Sequence, residues 1–299
     1  MLTFSPDILE EGMRTLLLQR AIDSEPAILP VLCAIIDSNK AEEVIPFLGD
    51  VPQMTEWSGT RKITRLSSAR YSVVPVKYQS TVAISRDHMA DDQMGAIAGK
   101  IGQLAQRAAN HPVVKLVDAM VQGDSLPCYD GSSFFGNTHP ARGDQTTAQD
   151  NYLAGTGTST ANLQADLSTM RTYFRRVVDE ANEPWSYEVS NLLIVAPPEM
   201  EQNFITVLFA NTVSTGGQNM YQGMADLWVT PRLSDVNDWY GYNLGAGKPF
   251  VFVNRQGIQT SIAGMDPAVW MNSDEVKVGV DYRAGIGYLY WQVACKFVN

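Results

Sequence analysis

Apolar residues recur along the 299-residue chain in two periods, and the switches between them predict its elements. Leu9, Met13, Leu16 and Leu17 stand at helical spacing after Ser5-Pro6, which predicts a helix over 7–20. The rest of the first fifty residues carries Pro26, Pro30 and Pro46 between short apolar patches and reads as an extended arm. From 61 to 87 the period falls to two: Val74, Val76 and Tyr78 alternate with Lys77 and Gln79, and Val82 and Ile84 continue the pattern. This predicts a two-stranded hairpin that bends near Ser67-Ser68-Ala69 and tolerates Pro75 at an edge or bulge. A lone hairpin is marginal in water, so another surface has to cover it.

Beyond Asp87 the helical period returns. Met94, Ile97, Ile101, Leu104 and Ala108 form one stripe, and Asn110-His111-Pro112 is expected to interrupt it before a second piece ending near Gly123. Gly95, Gly99 and Gly102 each cost up to about 1 kcal/mol in a helix, which suggests close approach of a neighbouring element. Residues 123–160 are rich in Gly, Ser, Thr and Asp and read as a long ordered excursion. A helix then runs from about Thr160 to Ala181, with Leu163, Leu167, Met170, Phe174 and Val177 on one face. Leu192–Ala196 reads as a buried strand, and a helix that Pro198 can start follows it. Further strands fall at DLWVT and within DWYGYNLGAGKPFVFVN. From Glu275 the alternation Val276, Val278, Val280 turns near Gly285 and resumes through Tyr288 and Tyr290, a terminal hairpin. Helices and strands mix without a regular βαβ rhythm, so the fold class is α+β.

Charge changes this picture. The chain carries a net −10, which disfavours tight binding to a phosphate backbone. The 61–87 segment nevertheless holds Arg61, Lys62, Arg65, Arg70, Lys77 and Arg86 against Asp87 alone, a net +5 on an acidic body. Such a ribbon is drawn to other copies of the same chain, although a solvated hairpin explains the charge equally well. No apolar run reaches membrane-spanning length, and no export signal is evident. Cys33, Cys128 and Cys295 lie far apart without CxxC pairing, so neither a disulfide framework nor a zinc site is expected.

Candidate chemistry is sparse. NLGAGKPF lacks the spacing of a phosphate loop, with Tyr242 and Pro249 where glycine and serine or threonine belong. The histidines are His88, His111 and His139, and there is no nucleophile elbow. A Cys128–His139 or Asp130–His139 pair is conceivable in the loop, but nothing in sequence supplies a third orienting group. Asp91-Asp92 and Glu42-Glu43 lack metal-ligand spacing. Trp228, Trp239, Tyr240, Tyr242, Tyr288, Tyr290 and Trp291 alternate as packed sheet faces do.

Five segments follow one another in a telling order: FLGDVPQMTEWSGTRKI, YDGSSFFGNTHP, LLIVAPPEME, NMYQGMADLWVTPRLSD with DWY beyond it, and VDYRAGIGYLYWQVA. The set resembles the major capsid proteins of tailed bacteriophages, of the Hong Kong phage type, and more narrowly the Mu-like phage and prophage major head subunits. The likeness runs through nearly the whole chain, and its specificity lies in the order, since none of the segments is a catalytic signature. It implies an N-terminal arm (1–50), an extended loop (51–87) lying across a neighbouring subunit, a peripheral domain with a long spine helix (88–125 and 246–299) and an axial domain (126–245). It further implies self-assembly as hexamers and pentamers into an icosahedral shell that encloses double-stranded DNA without specific binding. The six basic residues would then be intersubunit contacts. No catalytic residue, cofactor or metal is implied, and no membrane. The short segment before the ribbon implies a separate scaffold or protease; a portal protein is a further partner, and a decoration protein a candidate one. The shell would be assembled in the host bacterial cytoplasm and found in the virion. Some shells of this type cross-link through a lysine in the extended loop, but no motif marks a partner for Lys77. Two other readings stand beside this one: a tail-tube or head-completion ring subunit, and a cytosolic hydrolase using Asp130 and His139.

Overall fold

The period-2 pattern runs longest in two strands of 14 residues, β9 (Phe250–Ala263) and β10 (Glu275–Tyr288), which pair antiparallel. In the computed structural model, residues 6–24, 26–48, 59, 68–85, 94–139, 148–179, 182–212, 217–264 and 275–299 are described. β1 (Cys33–Asp37) adds parallel to β9, and β4 (Val76–Ser85) adds antiparallel to β10, giving the order β1-β9-β10-β4. One face of this sheet is covered by α1 (Pro6–Asp23) and the 29-residue α3 (Met94–Gln122). Met13, Leu17 and Ala21 of α1 meet Ile101, Leu104, Ala105 and Ala108 of α3 above Val278 and Val280. A short α2 (Ile28–Leu32) links α1 to β1.

The second sheet has the order β5-β11-β8-β6-β7, from β5 (Tyr152–Ala154), β6 (Leu192–Ala196), β7 (Asp226–Val229), β8 (Trp239–Asn243) and β11 (Ala294–Val298). β6 and β8 are buried at every position, as strands covered on both faces must be. Leu192, Ile194 and Ala196 face α4 (Thr160–Arg176) and α5 (Glu201–Phe209); Leu193 and Val195 face the end of α3 and the loop carrying Phe134 and Phe135. Ser159 caps α4 through its side chain, which accepts from the Asn162 amide. Gly241 admits Met170 against the backbone of β8, where a Cβ would stand 2.3 Å from its sulfur.

Several expectations need correction. Within the 61–87 ribbon, the described strands do not pair with each other. Its described part forms β3 (Ser68–Val73), paired with β2 (Glu43–Leu48), and β4, paired with β10; Val74-Pro75 passes between the two sheets. Period-2 alternation identifies a strand but not its partner, and β10 offered a longer apolar edge. Second, the segment read as extended is built into the molecule: α1 runs on to Asp23 and contributes Leu17, fully buried, to a core, Ile28–Leu32 is helical, and β1 lies in a sheet. Third, β10 runs straight through Gly285, and the chain turns only at Leu289 to reach β11 in the other sheet, so no terminal hairpin forms. Val73 and Tyr71 of β3 lie over Gly285 and Gly287, where a Cβ would come within 2.7 Å and 2.5 Å of Val73. Those glycines mark a crossing, not a turn. Fourth, α3 is continuous across Pro112, since packing at both ends offsets the lost backbone bond. Gly99 and Gly102 have open space around them, so close approach does not account for them. α4 also stops at Arg176, before the expected Ala181.

Leu17→Ala should therefore cost about 2–5 kcal/mol in urea unfolding, as for a core leucine. A midpoint unchanged by this substitution would mean that α1 is an arm after all.

Candidate subunit interface

The six basic residues proposed as contacts are only partly within view. Arg61, Lys62, Arg65 and Arg86 lie outside the described residues. Arg70 is exposed on β3. Lys77, on β4, meets Asp281 of the neighbouring β10 at 2.9 Å, so its charge is answered within the chain. That pair is largely exposed and contributes at most about 1 kcal/mol.

What sequence reasoning missed is the apolar and edge character of the same region. No described strand pairs with the outer edge of β4 or of β1. Val44 and Leu48 of β2 point outward while Ile45 and Phe47 pack inward, and Val74 and Val76 flank Pro75 in the open; Leu48 is 71% exposed. Ile22 and Ile35 are likewise exposed on α1 and β1. Leu18, Ile22, Pro26, Phe252 and Ile258 line an open groove of about 380 Å³. Unpaired edges beside exposed aliphatic side chains are surfaces that proteins either protect or use. The outward half of the period-2 pattern was the signal that could have shown it.

Beside β4, His111 sits on α3 against Tyr78 and Tyr282, its Nδ1 hydrogen-bonded to the Tyr282 hydroxyl. Partial burial, and then the charge of Lys115, pull the ring below histidine's usual value; Arg232 adds to this and Asp118 opposes it. The neutral ring accepts from Tyr282, and a proton on Nδ1 removes that acceptor.

The loop after α3 brings together the residues that the hydrolase reading would use. His139 Nδ1 lies 2.8 Å from Asp130 Oδ2, and Cys128 Sγ lies 3.0 Å from Asp130 Oδ1. The His139 ring is fully buried and stacks on Trp291 at 3.9 Å. Burial favours protonated Asp130, yet bonds from His139, Cys128 and the Ser132 amide hold its carboxyl below its ordinary value. Burial, and then Asp130's charge, push the Cys128 thiol well up, the opposite of what a thiolate nucleophile needs. Cys128, Asp130 and His139 thus meet as a buried, mutually bonded knot and not in an open cleft. Cys33 is pushed up to about 12 and Cys295 higher, both chiefly by burial.

Comparison with known proteins decides the kinship. Residues 7–169 match the family described as Mu-like prophage major head subunit gpT. The chain belongs to that family. It is 30% identical over 122 residues to the major capsid protein of Escherichia phage Mu, a match covering 41% of this chain and 40% of that protein. The chain thus spans about two fifths of the length of the curated relative it matches. Among solved structures, the capsid of Cyanophage P-SCSP1u superposes with a TM-score of 0.62 at 12% identity, covering 89% of this chain and 86% of that one. The bacteriophage JBD30 capsid gives 0.56 at 16% identity, covering 93% and 67%. Identities this low speak for the fold alone, and the fold is that of tailed-phage capsid proteins.

A depressed histidine binds its proton more weakly when folded. Its contribution is therefore fully present above pH 6.5 and declines as the pH falls below that value. His111→Gln, which keeps an acceptor for Tyr282, should flatten the loss of stability between about pH 7 and pH 5 in urea unfolding; an unaltered slope would remove His111 from that account.

Proposed function

We propose that this chain is a major head subunit that self-assembles as hexamers and pentamers into the icosahedral shell around the double-stranded DNA of a tailed bacteriophage. What carries this reading is the coincidence of a head-subunit family match with a capsid fold extending over 89% of the chain. The four-stranded sheet with α1 and α3 takes the part of the peripheral domain, and the five-stranded sheet with α4 and α5 that of the axial domain. On that assignment β11 goes with the axial sheet, although it follows β10 in sequence.

The exposed aliphatic side chains of β2 and the 74–76 link, with the open edge of β4, are surfaces for a sister subunit. Arg61, Lys62, Arg65, Arg70 and Arg86 supply attraction toward an acidic neighbour, and Lys77, already paired, supplies less. Each contact is weak, but closed symmetry repeats it many times. The net charge of −10 suits a container that must not hold its DNA tightly. A separate scaffold or protease, a portal and a decoration protein complete the set of proposed partners. Assembly takes place in the host bacterial cytoplasm, and the product is the virion shell.

Negative-stain microscopy of the purified protein tests this: closed shells or capsomer sheets are expected, whereas tubes, isolated rings or dispersed small oligomers would reject it. Reversing Arg61, Lys62 and Arg65 to Glu together should abolish shells while leaving the thermal midpoint of the isolated subunit within about 2 °C. Shells formed in normal yield by this variant would exclude these three as contacts.

A further inference from the structure

The knot formed by Cys128, Asp130 and His139 makes two demands on one imidazole ring, and Asn151 makes one of them. The Asn151 Nδ2 donates to the carbonyl oxygens of Phe134 (2.8 Å), Ala294 (3.2 Å) and Trp291 (3.4 Å), and its Oδ1 accepts from the Gly136 amide (2.8 Å). The amide therefore has one orientation, and its oxygen faces His139 Nε2 at 3.2 Å. Asn151 is therefore served by a hydrogen on Nε2, and Asp130 Oδ2, 2.8 Å from Nδ1, by a hydrogen on Nδ1, so a neutral ring serves only one of them. The Cys128 sulfur, a third donor atom, stands on the other oxygen of the same carboxylate. A metal ion on Nδ1, with the ring hydrogen on Nε2, would serve both partners at once.

We propose that Cys128, Asp130 and His139 form a binding site for one zinc ion. Sγ, a carboxylate oxygen and Nδ1 lie within 4.8 Å of one another, and all three residues are buried or nearly so. Zinc bonds of about 2.0–2.3 Å place ligand atoms slightly closer than this, so the widest pair closes by roughly 1 Å on binding. Sulfur and nitrogen beside one carboxylate select zinc over calcium or magnesium, which take oxygen cages. The His139 Nε2–H bond to Asn151 is the outer contact that a metal-bound imidazole needs to hold its orientation. Backbone bridges Pro127–Ser133 and His139–Gln149 bring the ligands together in advance.

The exchange balances. Zinc displaces the thiol proton to solvent while the ring carries its hydrogen on Nε2, leaving a thiolate, a carboxylate and a neutral imidazole around a divalent ion, with no net charge left to bury. Water takes the fourth position. Through Asn151 the ion would tie the loop after α3 to the backbone at Trp291 and Ala294, where the chain enters β11. The inference stands independently of the shell reading.

The full-length chain, purified in reductant and stripped with EDTA, is titrated with zinc against a chromophoric chelator and separately loaded with cobalt. One zinc per chain is expected, with proton release in weak buffer, a raised thermal midpoint and a thiolate-to-cobalt charge-transfer band. Cys128→Ser, which retains a donor to Asp130, should keep the metal-free melting curve, lose that band and weaken zinc binding at least tenfold; His111→Gln should change neither. Absence of stoichiometric zinc, or binding that survives both Cys128→Ser and Asp130→Asn, would overturn the site.

Discussion

One apolar stripe on one helix serves two cores, and the rest of the molecule depends on it. The first half of α3 lays Ile101, Leu104, Ala105 and Ala108 onto the four-stranded sheet and α1. Its second half lays Leu116, Val117 and Met120 beneath the five-stranded sheet and the loop with Phe134 and Phe135. Each buried leucine contributes roughly 1.5–3 kcal/mol. Neither half could unwind without opening the sheet it covers. Pro112 lies between the two halves, so the cost of its missing hydrogen bond falls where the helix passes from one core to the other.

Strands reinforce that coupling because the chain crosses between sheets more than once. β8 and β9 are consecutive yet lie in different sheets, as do β10 and β11. Polar anchors hold the crossings. Lys296 on β11 is almost buried, with Nζ 3.3 Å from Asp124 just beyond α3 and 3.2 Å from Asp238 just before β8. Burial lowers its affinity for a proton, but those two carboxylates more than offset this and hold its pKa above the ordinary lysine value. Lys248 donates to the carbonyl oxygens of Pro30 and Val31 at the end of α2, which places β1 beside β9. A buried cation that lost its partners would be costly, so these contacts fix the geometry more than they add stability.

Local pattern was legible where an element's own side chains determine it. Leu192–Ala196 is a strand because five successive apolar residues need cover on both faces. α3 is a helix because its stripe runs for many turns. The kinship was legible too, because an ordered set of segments carries more information than any one motif. Partner choice was not legible. The alternation of Val76, Tyr78, Val82 and Ile84 says that one face of β4 is buried; it cannot say that β10 supplies the edge. Gly285 looked like a turn because glycine serves both turns and crossings, and only Val73 above it distinguishes the two. The Cys128, Asp130 and His139 knot was half visible, but the residue that orients it, Asn151, lies 12 positions beyond His139 and has no motif.

The basic segment shows how internal pairing shapes external attraction. Sequence charge alone assigns all six cations to a neighbour, yet Lys77 is neutralised by Asp281 on the adjacent strand. Beside that pair, the four-stranded sheet presents an edge that no described strand joins, and Val74, Val76 and Leu48 lie exposed near it, so charge is not the region's sole means of attraction. Charge acts over about 8 Å at physiological salt and sets the approach; backbone pairing and apolar burial act only on contact and set the register. On the shell reading, a subunit whose described cores are closed and whose open surfaces are sheet edges would fold first and join afterwards.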